Sequence, residues 1–360
     1  MKWWKIIPGL AGLAVLAVIG YAAYVFLTYS RIEDRVGLEP AGEAVEPVRT
    51  GQEYTAVSYN AGFGAYTADF TFFMDGGKES RARSLQSVKS CIAGCTDTAL
   101  SFEPDLILFQ EVDTDSTRSW HVNEEAMIRD RLASEGLWDS VFAQNYHSAY
   151  LMVPLTKPHG KSNSGLLTVA RMDIESALRR SLPIATNFKK FLDLDRCYSI
   201  SRFPVENGKD LVVINVHLSA YGTDASQGNA QLEMLAEDMK KEYTQGNYVI
   251  CGGDFNHDFT GDSKEFFNPG TDKSYSWCNP FPDTVLPEGF RKCIDYERGM
   301  TATTRDTDIP YSKESFTVIL DGFIVSDNVR CSYVQNVDTG FEHSDHNPVV
   351  MKFALEPAGE

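Results

Sequence analysis

Tyr248-Val249-Ile250-Cys251-Gly252-Gly253-Asp254-Phe255-Asn256 reads as a short buried strand that stops on two glycines. A carboxylate and a carboxamide follow, two residues apart. Glycine at that point lets the backbone turn sharply or come close to a ligand. If the chain stays extended, Asp254 and Asn256 point to the same side. An acceptor-only group then sits beside an amide that both donates and accepts. Such a pair suits water, a metal or a phosphate. Taken alone, it also suits a glycine turn with solvated polar residues.

Working outward, other apolar runs end the same way. Asn60 follows Ala56-Val57-Ser58-Tyr59, Glu111 follows residues 106–110, and His217 closes Val212-Val213-Ile214-Asn215-Val216. Asp321 lies inside a run from Thr317 to Val325, where an unpaired carboxylate is costly. Asp345 and His346 place an acid beside a base just ahead of Pro348, which marks the start of the last strand. One such residue is a cap or an Asx-turn; six in one chain point to a shared site.

The remaining pattern gives the frame. Strands are expected at 54–59, 105–109, 141–154, 165–171, 174–182, 316–326, 329–337 and 348–355, with a hairpin 196–205/211–218 turning on Asn207-Gly208. Helices are expected at 80–100, 124–136 and 225–243. Runs that are apolar throughout or alternate cleanly suit two packed sheets with outer helices. Residues 259–298, rich in Pro, Gly, Asp and aromatics, read as a long functional loop or an insertion.

Residues 6–29 are uncharged and mostly apolar, the roughly 20 residues that cross a bilayer and longer than a secretory apolar core of ~7–15. After a short tail, 1–5, this reads as an uncleaved signal anchor; cleavage near Ala22 or Ala23 is the competing reading. Lys2 and Lys5 precede the run and Arg31 and Arg35 follow it, and the short tail favours an extracytoplasmic domain. Residues 30–52 read as a spacer and 53–356 as a single domain. A formal net charge of -17 argues against tight non-specific binding to nucleic acid. Seven scattered cysteines do not form a disulfide framework.

Taken together, Ser58-Tyr59-Asn60, Phe109-Gln110-Glu111-Val112, Asn163-Ser164-Gly165-Leu166, Asn215-Val216-His217-Leu218, Gly253-Asp254-Phe255-Asn256, Leu320-Asp321-Gly322-Phe323 and Ser344-Asp345-His346-Asn347-Pro348 resemble the endonuclease/exonuclease/phosphatase superfamily, in that family's order. The fifth and seventh are the specific ones. The resemblance implies an α/β fold, a four-layer α/β/β/α sandwich of two packed mixed sheets, and metal-dependent cleavage of a phosphate ester. It implies Glu111 as principal metal ligand, with Asn60 adjacent and Asp345 a further contributor. Oxygen donors favour Mg²⁺ or Mn²⁺ over zinc. His346 is then the general base on the attacking water and Asp321 the group that fixes its tautomer. Asp254 orients the water or protonates the leaving group. Asn256 and His217 donate to the phosphate, and Asn163 shapes its pocket.

For the substrate, the anchor and the acidic balance favour a lipid headgroup or another small phosphate ester. Residues 217–222 also resemble the segment after the histidine in lipid- and inositol-directed members. The alternatives are an extracytoplasmic nuclease and a non-catalytic binding protein that keeps the fold.

Overall fold

Alternation along the strands sorts side chains into an inner core and two outer ones. The computed structural model describes residues 6–187, 190, 195–220, 225–294, 296 and 300–357. In chain order the first strands are β1 (Val36–Leu38), β2 (Ala41–Gly42), β3 (Glu53–Asn60), β4 (Leu106–Asp113), β5 (Asp139–His147), β6 (Asn163–Ala170), β7 (Ser176–Ser181) and β8 (Cys197–Pro204). Then come β9 (Asp210–His217), β10 (Tyr248–Asp254), β11 (Phe290–Cys293), β12 (Thr304–Arg305), β13 (Thr317–Val318), β14 (Asp321–Ser326), β15 (Val329–Asn336) and β16 (Val349–Leu355). The helices are α1 (Ile6–Leu27), α2 (Leu85–Leu100), α3 (Glu124–Ala133), α4 (Ala225–Thr244) and the short α5 (Ser263–Phe267).

Two seven-stranded mixed sheets result, ordered β1-β7-β8-β9-β10-β14-β11 and β15-β16-β3-β4-β6-β5-β2. Parallel pairing occurs at β9/β10 and β3/β4. Ala56, Leu106, Leu108, Val213, Ile250, Phe323 and Met351 fill the space between the sheets. Their sequence neighbours point outward, as the two-residue period of a strand requires. Val57, Ile107 and Phe109 pack with Val88 and Ile92 of α2 and Ile128 of α3. Val212, Ile214, Val249 and Cys251 pack with Leu232, Leu235 and Met239 of α4. The architecture is the four-layer α/β/β/α sandwich.

Several local expectations are corrected. Residues 30–52 are not a free spacer: β1 pairs with β7 and β2 with β5, and Val48 is wholly buried between the sheets. A few apolar side chains suffice, because the open sheet edges satisfy the segment's backbone. The helix expected from residue 80 starts at Leu85, where the Ser84 side chain accepts the Ser87 N–H and caps it. Residues 259–298 carry α5 and β11, which adds an edge strand against β14. The run at 316–326 is divided, because Thr317–Val318 pairs with Thr304–Arg305 while Asp321–Ser326 pairs with β10. The tail 1–5 and positions 221–222 lie outside the described residues.

α1 has 22 residues and is long and apolar enough to cross a membrane, and only Tyr21 and Val25 among its described side chains are half-buried, the rest being exposed. Its hydrogen bonds to the body run through Tyr21 and Tyr24 to residues 150 and 152.

Candidate active site

The ends of β3, β4, β9 and β10 and the start of β14 converge, and register decides which side chains meet. Asp254 lies directly opposite His217 on β9 and Asp321 on β14. Glycine is required beside it: Gly253 has φ +142°, and a Cβ there would lie 2.1 Å from the Val216 carbonyl oxygen. Gly252 sits where a Cβ would meet the Phe323 ring at 2.6 Å and Leu108 Cδ1 at 2.9 Å, so the two sheets approach too closely for any side chain. Glu111 occupies an irregularity in the β4/β6 register with φ +53°. Such a bulge re-aims a side chain, and Glu111 joins the wall of a cavity of about 390 Å³.

His217, Asp254, Asn256, Asp345 and His346 line the same cavity. His346 Nδ1–H donates to Asp321 Oδ2 at 2.8 Å. Its Nε2 lies 3.8 Å from Asp254 Oδ2. His217 Nε2 is 3.5 Å from the same Asp254 oxygen and 3.9 Å from Glu111 Oε1. The Asn60 amide donates to Asp254 Oδ2 at 3.1 Å, while its Oδ1 accepts the Gly62 N–H at 3.0 Å and keeps a second lone pair. Asn256 spends one N–H on the Leu218 carbonyl at 2.8 Å and retains the other. Asp345 is fixed through its neighbour Ser344, whose hydroxyl donates to the Asn60 carbonyl at 2.7 Å.

The electrostatics follow from crowding acids in a dry place. Burial, reinforced by Asp321 and Glu111, raises Asp254 to about 7 against the pull of His346. Burial and Glu111 likewise raise Asp345 to about 6. Burial by itself would depress His346, but Asp321 and Asp254 outweigh it and push the imidazole up to about 10. His217 goes the other way: burial first, then Arg196, His346 and Arg118, hold it well below its ordinary value, so it is neutral at pH 7.

Glu111, Asp254, Asp321 and Asp345 thus bring four carboxyl groups together, and Asp321 Oδ1 is buried without a hydrogen-bond partner. A surplus of carboxylate oxygens in a buried site fits a hard divalent cation. Among the described residues, ligand-type atoms of Asp254, Asp321 and His346 lie within 4.8 Å of one another. That trio is better explained as an oriented imidazole, because the Asp321–His346 hydrogen bond already uses the facing atoms. The ligand set that the resemblance implies, Glu111, Asn60 and Asp345, is separate from that trio.

One expected residue is elsewhere. The Asn163 amide donates to the Asp115 carbonyl at 2.8 Å, and Asn163 does not line the cavity. It stands at the first position of β6, and its loop neighbour offers the nearer acceptor. Sequence reading also missed several groups. Thr304 Oγ1 donates to Asp321 Oδ2 at 3.1 Å and lies 3.1 Å from His346 Nδ1. Arg118, Arg196 and Arg305 bring positive charge to the cavity wall. Nothing in Thr301-Ala302-Thr303-Thr304-Arg305 marks Thr304, whose position comes from its bridge to His346.

A family profile described as Endonuclease/Exonuclease/phosphatase family matches residues 57–346. No curated protein matches the chain in sequence. Among solved structures, an endonuclease/exonuclease/phosphatase from Beutenbergia cavernae DSM 12333 is similar with a TM-score of 0.55 at 16% identity, over 85% of this chain and 72% of that one. ANGEL2, a 2′,3′-cyclic phosphatase in complex with adenosine-2′,3′-vanadate, gives 0.57 at 15% identity, over 89% of this chain and 99% of its own. Truncated Caenorhabditis elegans TDP2 gives 0.50 at 16%, over 85% and 98%. At these identities the likeness is one of fold.

Proposed function

The chain belongs to the endonuclease/exonuclease/phosphatase family, whose members are typically phosphoester hydrolases, and from that premise we propose a divalent-metal-dependent hydrolase of phosphate esters. In this reading α1 tethers the protein to a membrane, with residues 53–356 as the catalytic domain on the extracytoplasmic side. The substrate is a lipid headgroup or another small phosphoester. The observation that carries the chemistry is the Asp321–His346 pair, bonded at 2.8 Å and set toward Asp254 in a cavity shared with Glu111 and Asp345.

With Nδ1–H committed to Asp321, His346 has Nε2 free to take a proton from a water aligned on phosphorus. Asp254, raised to about 7, is placed to protonate the leaving oxygen. Neutral His217 donates Nε2–H to a non-bridging oxygen, and Asn256 offers its remaining N–H. Glu111, Asn60 and Asp345 would hold Mg²⁺ or Mn²⁺, which when bound supplies positive charge to the phosphoryl oxygens and offsets the carboxylates that keep His346 protonated. The net charge of -17 supports a small or lipid substrate over a polyanion.

The test is the full chain in phosphatidylcholine nanodiscs, with Mg²⁺ or chelator, offered bis(4-nitrophenyl) phosphate, sphingomyelin, phosphoinositides and plasmid DNA. Chelator-sensitive hydrolysis of a small ester or lipid, abolished by His346→Ala, is expected. Nicking of DNA with inert lipids overturns the substrate assignment. No turnover of anything, with His346→Ala indistinguishable, overturns the enzyme reading. Protease added to intact cells should reach the domain; protection reverses the orientation.

A further inference from the structure

The cavity has a second, apolar wall that the chemistry above does not use. Phe63, Tyr66, Phe72 and Phe73 form one side, and Leu151 and Val153 continue it. Tyr21, from α1, completes that wall. The hydroxyl of Tyr21 donates to the Tyr150 carbonyl at 3.2 Å and accepts the Met152 N–H at 3.0 Å. The hydroxyl of Tyr24 accepts the Tyr150 N–H at 3.1 Å. A helix long and apolar enough to cross a membrane is therefore bonded to the backbone of the loop that lines the site.

Depth follows from helix geometry. The 22 residues of α1 span roughly 33 Å at ~1.5 Å per residue, only slightly more than a hydrocarbon core of about 30 Å. Tyr21 and Tyr24 lie in the last two turns, at the level where tyrosines sit at a membrane–water interface. The loop bonded to them is held at the same level. Its side chains are those of an inserted segment: Met152 is 43% exposed, Val153 59% and Leu155 82%. Three large apolar side chains within four residues, uncovered by the body of the chain, form a patch that needs a cover. The tether proposed for α1 brings a bilayer to it.

We infer that residues 150–155 insert into the same membrane interface that receives the end of α1, so that the cavity takes a phospholipid with its phosphoester at Glu111, His217 and His346 and its apolar part against Phe72, Phe73, Leu151 and Val153. The catalytic half rests on the hydrolase proposed above; the docking half rests only on the membrane tether proposed there. Burial of the loop lowers the free energy by roughly 25 cal/mol for each Å² of apolar surface covered. The substrate never has to leave the membrane completely, because the loop that enters the interface is also the cavity wall.

The test uses the full chain in nanodiscs of phosphatidylcholine carrying sphingomyelin and phosphoinositides. None of the seven cysteines forms a disulfide, and six are buried while Cys331 is half-buried, so a Leu155→Cys, Cys331→Ser variant takes a single nitroxide. Collisions of the label with oxygen are expected to exceed those with an aqueous nickel chelate. A label that reports water overturns the docking. A Met152→Asp, Leu155→Asp variant is expected to lose at least about tenfold in lipid hydrolysis while bis(4-nitrophenyl) phosphate turns over within about twofold of wild type. Equal lipid turnover by that variant overturns delivery through the loop. A membrane-buried label with a wild type silent on every ester leaves the docking standing and overturns the hydrolase reading.

Discussion

Replacing Asp321 by Asn separates an orienting carboxylate from a metal ligand, because the two roles fail differently. In the protein Asp321 accepts from His346 Nδ1 at 2.8 Å and from Thr304 Oγ1 at 3.1 Å. Burial alone would depress the His346 imidazole, yet it stands at about 10 against an ordinary 6.5, with Asp321 the largest opposing influence. Asp254 and Asp345 share in that displacement, so loss of the Asp321 charge withdraws its largest part and not the whole. Asn keeps the shape and one acceptor oxygen but removes the charge, and its amide can donate to Nδ1 and invert the tautomer. The expected result is a kcat lower by roughly 10³–10⁴-fold, comparable to the cost of the analogous change in a Ser-His-Asp triad. KM and Mn²⁺ affinity should stay within about threefold. Turnover would be followed with bis(4-nitrophenyl) phosphate in nanodiscs and Mn²⁺ binding by titration calorimetry. A fall in Mn²⁺ affinity that tracks the fall in kcat would refute the reasoning and make Asp254, Asp321 and His346 the metal centre.

Other perturbations test the frame around that pair. His159 is held near 4 by burial and by Arg118, against an ordinary value of 6.5; the native state therefore binds fewer protons, and its contribution to stability falls as pH drops from about 6.5 towards 4. Comparing wild type with His159→Phe, which keeps an aromatic ring among Phe63, Phe72 and Phe73, should show an extra loss of roughly 3 kcal/mol in the wild type over that window. Parallel denaturation profiles would count against it. Gly253→Ala should destabilise by about 3 kcal/mol and cut activity, since φ +142° and a Cβ 2.1 Å from the Val216 oxygen force β10 away from β9; an unchanged melting temperature contradicts the register. Asn163→Ala should leave kcat/KM within about threefold and cost at most about 1 kcal/mol, as its amide serves the Asp115 carbonyl. A large loss of kcat would restore it to the phosphate pocket.

How much of this was legible depends on the kind of constraint involved. Residues on strand ends were readable because burial makes a polar side chain there conspicuous. Asp254, His217 and Asp321 all stand out against apolar runs, and register brings them together. Thr304 has no such contrast. It sits among other threonines in a two-residue strand and acquires its place only when the loop carrying His346 folds across it. Asn163 shows the reverse error: it lies in a motif of the right order, but a nearby carbonyl satisfies its amide more cheaply than a cavity does. The spacer failed for a related reason. Polar composition predicts exposure of side chains, whereas residues 36–38 are ordered by backbone pairing with β7, to which composition is blind.

The strand expected at 141–154 is the most instructive case. Its apolar pattern predicts a strand throughout, yet β5 ends at His147, and residues 150–155 leave the sheet with Met152, Val153 and Leu155 exposed. Hydrophobic periodicity reports that a segment avoids water and says nothing of what replaces the water. Within one chain the candidates are a sheet, a helix and a membrane, and the bonds from Tyr21 and Tyr24 are the observation behind the membrane proposed above. Those bonds also constrain the topology. If α1 were cleaved near Ala22 or Ala23, Tyr21 would leave with it, and the loop would lose one anchor and the cavity part of its wall. A retained α1 keeps both. Detection of the intact N-terminal segment in the membrane-extracted protein by mass spectrometry is therefore the expected finding. A mature chain beginning after residue 22 would remove the physical basis for placing the loop in the bilayer.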